Sequence, residues 1–186
     1  MTAKRTLDLL LGSALLILVA PALAAAAATL ALGSPGGLDG ALRRETRIGL
    51  GGRPFELRSL RTRRLRLDLL SRLPHVVRGQ LSLVGPAPLS PKEAALLGPA
   101  AGRWRESLRP GLTGLAQVRS RSGMPWDEPA LLDAHYTEHH GTGLDLAILT
   151  QSAHIALRAA LSGLRLPGKA HLSDTDHRLP GYSVAE

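Results

Sequence analysis

Asp68 is the only carboxylate in the stretch RLDLLSRLPHVVRGQLSLVGPAP (Arg66–Pro88), where it stands among Arg66, Arg72 and Arg78. An even denser block of arginine precedes it. Between Arg43 and Arg78 there are 11 Arg against Glu45, Glu56 and Asp68, a surplus equal to the formal net charge of the whole chain, +8. Such a block attracts polyanions: nucleic acid, anionic lipid head groups or a phosphorylated substrate. The plain alternative is a solvated basic face. A lone acid in that setting fits an enzyme, a former enzyme or a basic binding module. Nucleic acid is not expected as a partner, because aromatic residues that could stack on bases make up only 3% of the chain.

A second cluster, His135, Glu138, His139 and His140, falls in one helical stretch. His135 and His139 are spaced i, i+4, as a zinc site requires, but spacing places no third ligand, so a polar helix face is the reading taken. Ser82 has no His and Asp spaced to make a triad with it. Cysteine is absent, which excludes disulfides, thiolate metal sites and cysteine nucleophiles. The glycines at 49, 51 and 52 lack the Gly-Lys-Ser/Thr of a phosphate-binding P-loop.

The elements that must position Asp68 begin with a membrane segment. Leu9–Leu32 is 24 residues without a charge, and a helix of roughly 20 apolar residues reaches across a bilayer core. A secretory signal, a transmembrane anchor and a re-entrant helix broken near Pro21 compete. Asp8 and the long apolar run after Ala24 speak against the signal. Lys4 and Arg5 flank the segment on one side, and Arg43, Arg44 and Arg47 on the other. Positive charge favours the cytoplasmic face, so a dip that returns both flanks to that face is favoured.

A flexible joint, GSPGGLDG (33–40), follows. The glycines of 45–62 mark turns around a short strand or hairpin at Pro54–Leu57. Apolar residues at 69, 70, 73, 76 and 77 make a helical stripe, with a kink or a helix start near Ser71 because of Pro74. Ser90 and Glu93 bracket Pro91 as a capping box. RPGLTGLAQV (109–118) reads as a loop running into a short extended segment, and 129–140 and 144–161 read as helices. The expected organisation is a membrane segment (1–32), a compact domain (33–166) and a loose tail (167–186). The fold class is mostly α with a small β element.

Taken in order, KRTLD (4–8), RIGLGGRPF (47–55), LRT (60–62), RGQLSLVGPAP (78–88), RPGLTGLAQV (109–118), Trp126, Asp133 with Tyr136, and LDLAIL (144–149) resemble the bacterial sugar transferases, the monotopic polyprenyl-phosphate phosphoglycosyl transferases. The resemblance implies transfer of a sugar-1-phosphate from a UDP-sugar to polyprenyl (undecaprenyl) phosphate in exopolysaccharide or glycan assembly. It implies membrane lipids as partners, the cytoplasmic face of the inner membrane as location, and magnesium as cofactor. It puts Asp68 at the position of the aspartate nucleophile, and makes Arg61, Arg63 and Arg121 the phosphate-holding candidates. Arginines suit two polyanionic substrates and the charge that develops in phosphoryl transfer. Trp126, Asp133 and Tyr136 are read as packing or hydrogen-bonding residues.

The chain departs from the family pattern in ways that bear on chemistry. The family's Leu-Asp-Glu-Leu-Pro-Gln falls on Leu67, Asp68, Leu69, Leu70, Ser71 and Arg72, so the second acid is a leucine. Ala87 stands for an arginine and Ser59 for a lysine, and the segment between LRT and Asp68 is short. An active outlier and a degenerate paralogue that binds but turns over poorly both fit these exchanges.

Overall fold

The computed structural model describes residues 3–62, 66–96, 107–121 and 129–164. Trp126, Arg63 and the tail from 167 lie outside them. The chain opens with helix α1 (Ala3–Leu32) and a one-turn helix α2 (Gly37–Ala41). Strands β1 (Leu42–Ile48) and β2 (Pro54–Leu60) pair antiparallel, with Arg43 opposite Ser59 and Arg47 opposite Phe55. Two short helices follow, α3 (Leu67–Leu70) and α4 (Leu73–Arg78). Strand β3 (Ser82–Val84) pairs in parallel with β4 (Gly111–Thr113), and α5 (Pro91–Leu96) lies between them in sequence. Helices α6 (Leu115–Arg121), α7 (Pro129–His139) and α8 (Thr142–Leu164) complete the description.

Several sequence expectations appear directly. The stripe from Leu69 to Val77 is split at Ser71, with Pro74 in the first turn of α4, where its missing N–H costs nothing. The capping box forms at α5: the Ser90 N–H donates to Glu93 Oε2 at 2.7 Å and the Glu93 N–H to Ser90 Oγ at 3.3 Å. The strand at Pro54–Leu57 is β2 of a full hairpin. One expectation is corrected. The extended part of RPGLTGLAQV is Gly111–Thr113, while Leu115–Val118 is helical, because the chain turns at Gly114 as soon as β4 has paired with β3.

Glycine is demanded where the backbones at the ends of those two strands press together. A Cβ on Gly111 would lie 2.1 Å from the Gly85 nitrogen, and one on Gly114 2.2 Å from the Gly85 carbonyl oxygen. Only hydrogen fits, which accounts for the spacing of VGP and PGLTG.

α1 is continuous through Pro21. The break expected near Pro21 is therefore also corrected: proline removes one N–H, leaving the Ile17 carbonyl without its helical donor, but it does not end the helix. The helix reverses the usual burial. Asp8 is 2% exposed, whereas Ile17 and Leu18 are 75% and 78% exposed. It is the one helix among the described residues long and apolar enough to cross a membrane.

Its first turns instead belong to the domain. Lys4 Nζ donates to Asp145 Oδ2 (2.6 Å), to the Tyr136 hydroxyl (2.8 Å) and to the Val84 carbonyl (3.0 Å). Arg5 donates to the carbonyls of Val76 (2.7 Å) and Val77 (2.8 Å) at the C-terminus of α4, where a cation also meets the helix dipole favourably. Asp8 accepts from Ser82 Oγ (2.7 Å) and from the Leu83 N–H (2.9 Å). Gly12 lets α1 approach Val76 closely. The core beneath comprises Leu57, Leu73, Val76, Leu81, Leu83, Val84, Val118, Tyr136 and Ile148.

His75 joins the hairpin to α4. Its Nε2 accepts from the Arg58 N–H at 3.1 Å, so its Nδ1 is the donor to Gln80 Oε1 at 2.7 Å and the ring is neutral. Burial, the largest cause, holds its pKa below the usual 6.5. The unfolded chain therefore takes up a proton that the folded chain refuses. Stability should be level above neutrality and fall as pH drops below 6.5, by at most about 1.4 kcal/mol per pH unit. Urea melts of the wild type and of His75→Asn from pH 7.5 to 5.5 check this. The variant, though less stable throughout, should show a flatter profile, and equal slopes would remove His75 as the cause.

Candidate active site

Asp68 sits in the first turn of α3 and is half-buried. The turn is entered through Arg66, whose φ of 56° places it in the left-handed region. That conformation is costly for a residue with a Cβ and is held by what surrounds it. Ser71 closes the turn. Its hydroxyl donates to the Asp68 carbonyl at 2.9 Å and accepts from the Leu60 N–H at 2.9 Å. One side chain thus pins the short helix carrying Asp68 to the end of β2.

The end of β2 carries Arg61, held at the base of the hairpin by two bonds to the α2–β1 junction. Its backbone N–H donates to the Ala41 carbonyl at 2.9 Å and its Nε to the Leu42 carbonyl at 3.2 Å. Arg43 and Ser59 are cross-strand partners. Together the hairpin base and the α3–α4 turn border an open cavity of about 380 Å³ lined by Arg43, Ser59, Leu60, Arg61, Thr62, Asp68 and Arg72. Among the described residues, three arginines and one aspartate line the same space.

Arg72 is the most constrained of the three. Its Nε is buried and has no hydrogen-bond partner among the described residues. Burial, the largest cause, pulls its pKa below the usual range, while the charges of Asp68 and Glu45 push it back up. Glu45 is itself held below the usual carboxylate range, first by the hydrogen bond from Arg47, and it also pairs with Arg43. It is a partner of the arginines behind the cavity and not part of the lining.

Of the residues singled out from sequence, Asp68 and Arg61 meet in this cavity. Arg63 lies outside the described residues. Arg121 ends α6, and its side chain lies outside them too. Sequence reasoning did not assign phosphate-holding roles to Arg43 and Arg72. The position of Arg72 in the LDELPQ register was a signal for it, while Arg43 becomes visible only through its hairpin register with Ser59. Ser82 serves α1, as a structural residue. Asp133 accepts from the Ala87 N–H at 3.4 Å and Tyr136 is fully buried, donating to Asp145, so both are used for packing and hydrogen bonding. Burial, the largest cause, together with Asp145 pushes the Tyr136 hydroxyl well above its ordinary pKa. The His135 and His139 rings stack on one another, 4.4 Å apart, on the exposed face of α7.

The magnesium implied by resemblance can be tested on the donor set. Magnesium is bound through hard oxygens, usually one or two carboxylates with phosphates and water. Among the described residues of the lining, Asp68 is the one carboxylate. Leu69 offers no oxygen, and no group of three His, Cys, Asp or Glu placed to hold a metal occurs among the described residues. One carboxylate set among three arginines makes the described lining a poor fit for a divalent cation.

Residues 62–159, from the cavity wall into α8, match the family of bacterial sugar transferases. The UDP-glucose:undecaprenyl-phosphate glucose-1-phosphate transferase of Caulobacter vibrioides is 38% identical over 151 residues, covering 64% of this chain and 55% of that protein. The uncharacterized sugar transferase EpsL of Bacillus subtilis is 33% identical over 131 residues, covering 57% of this chain and 64% of that protein. The exopolysaccharide production protein ExoY of Sinorhizobium fredii is 38% identical over 87 residues, with 47% and 38% covered. The chain thus spans from 38% to 64% of the length of these relatives. The matched span carries Asp68, Arg72 and the close approach of Gly85 to Gly111 and Gly114, and on it the chain belongs to the bacterial sugar transferase family.

Proposed function

We propose that this chain transfers a sugar-1-phosphate from a UDP-sugar to polyprenyl phosphate on the cytoplasmic face of the inner membrane, as an early step of exopolysaccharide or glycan assembly. One observation carries the reading: among the described residues a single carboxylate shares a cationic cavity with three arginines, in a domain from which an exposed apolar helix extends. The relatives named for undecaprenyl-phosphate sugar transfer support the choice of donor and acceptor.

An Asp68 carboxylate oxygen attacks the β-phosphorus of the UDP-sugar. The bond from that phosphorus to the bridging oxygen breaks, and UMP leaves with the electron pair. The aspartyl phosphosugar then meets the lipid phosphate, whose oxygen attacks the same phosphorus and releases the carboxylate. Splitting the transfer in two lowers each barrier. Arg43, Arg61 and Arg72 hold the phosphates and offset charge on the transferring group.

In this reading α1 enters the membrane as a re-entrant segment with both basic flanks on the same side. A catalytically impaired paralogue that serves as a membrane-bound scaffold is the second reading, favoured by Leu69, Ala87 and Ser59. Membranes containing the chain, given a panel of UDP-sugars and undecaprenyl phosphate, should release UMP, and cysteine probes at Thr2 and Ser34 should both be shielded from external reagent. Silence toward every donor would favour the scaffold, and labelling of either probe from outside would end the re-entrant topology.

A further inference from the structure

We infer that this chain holds the diphosphate of its donor with guanidinium groups alone, without a divalent cation. The inference rests on the phosphosugar-transfer reading for the identity of the ligand. It starts from the mismatch between the donor set and magnesium. The one lining carboxylate, Asp68, is the group that must reach phosphorus. A cation bound to it would draw negative charge from the attacking carboxylate, and Leu69 beside it supplies no substitute.

Positive charge is already in place. Arg43, Arg61 and Arg72 reach the cavity from three separate backbone positions, the start of β1, the end of β2 and the α3–α4 turn. Guanidinium is planar, stays charged and offers paired N–H donors that match the spacing of phosphate oxygens. A divalent cation entering this space would meet three like charges. The buried Nε of Arg72, without a partner among the described residues, is a donor lacking an acceptor until an anion arrives. Ser59, small and buried, leaves room opposite Arg43 for an anion where the family pattern has a lysine.

The work a metal would do is to neutralise the phosphate oxygens and steady the leaving UMP. Fixed guanidinium groups do the same by electrostatic preorganisation. Arg72 touches the ligand in this scheme, so removing it must weaken binding itself.

The test uses the full chain in phosphatidylcholine nanodiscs, with UDP as the calorimetric probe, in excess EDTA and then in excess Mg2+. UDP should bind in EDTA with a Kd within about twofold of that in Mg2+. Arg72→Gln should weaken binding in EDTA by about tenfold or more, the loss expected for a charge-assisted bond, and Arg72→Lys should recover part of it. Circular dichroism confirms that the variants are folded. Binding that requires Mg2+, or no UDP binding in either condition, overturns the inference. UMP release from UDP-sugars in the same two conditions separates the two readings. Release that persists in EDTA supports both, and release that needs Mg2+ overturns the inference but keeps the transfer. Metal-free UDP binding with no UMP release in either condition supports guanidinium binding and overturns the transfer.

Discussion

Asp68→Asn is expected to abolish both UMP release and phosphosugar labelling of the protein. The amide keeps the size and most of the hydrogen bonding of the carboxylate but cannot attack phosphorus. Loss of a covalent nucleophile costs on the order of 10⁴–10⁶ in kcat. Stability should hardly change. Asp68 is half-buried, and the bonds that pin α3 run through the Ser71 hydroxyl and the Asp68 carbonyl, which the substitution leaves alone. With a UDP-sugar labelled in the β-phosphate, wild type should carry label on the chain and the variant none. Equal labelling would shift the role to another carboxylate. Glu45 would be the first to examine, because it acts on Arg72 from behind the cavity, yet it is already engaged by Arg43 and Arg47. The variant also tests the cavity as a binding site. Removing the negative charge from a space with three arginines should not weaken UDP binding.

Local signals in this sequence read well, and distant ones did not. The split of the stripe at Ser71, the capping box at Ser90 and Glu93, and helices α7 and α8 each depend on residues within four or five positions, where backbone chemistry decides. The helix at Leu115–Val118 has no local signal, because its start depends on the close approach of Gly85 to Gly111 and Gly114, a contact between segments far apart in sequence. Half of the candidate site was legible. Asp68 and Arg61 lie seven residues apart near one charge cluster, so proximity in sequence carried them. Arg43 needed the hairpin register, and Arg72 needed the knowledge that α3 and α4 meet at a sharp turn beside β2. From sequence the KRTLD run shows only its charge relative to the membrane. Its work inside the domain was invisible, because Lys4 and Asp145 are 141 positions apart.

That run yields the largest expected effect on stability, from Lys4→Met. Lys4 is the partner of Asp145, a carboxylate only 1% exposed, and it also bonds Tyr136 and the Val84 carbonyl. Methionine has nearly the same length and keeps the aliphatic contact. It leaves the buried carboxylate with the Tyr136 hydroxyl as its remaining side-chain donor among the bonds described. Breaking a buried pair by removing one member costs about 3–5 kcal/mol, since the other charge remains desolvated. A domain has only about 5–15 kcal/mol in hand. Thermal melts in detergent should show the full loss. Asp145→Asn added to Lys4→Met should recover a large part of it, because no charge is then stranded. A loss below about 1 kcal/mol for the single variant would mean that water reaches Asp145 and the pair behaves as a surface one. Membrane attachment offers a second readout, since Leu9–Leu32 is untouched. If α1 were only a tether, Lys4→Met would change nothing once the chain is in lipid. If its first turns are part of the domain, as the bonds of Lys4, Arg5 and Asp8 require, the variant should stay in the membrane fraction while its folded domain loosens from the helix and becomes open to protease at the junction.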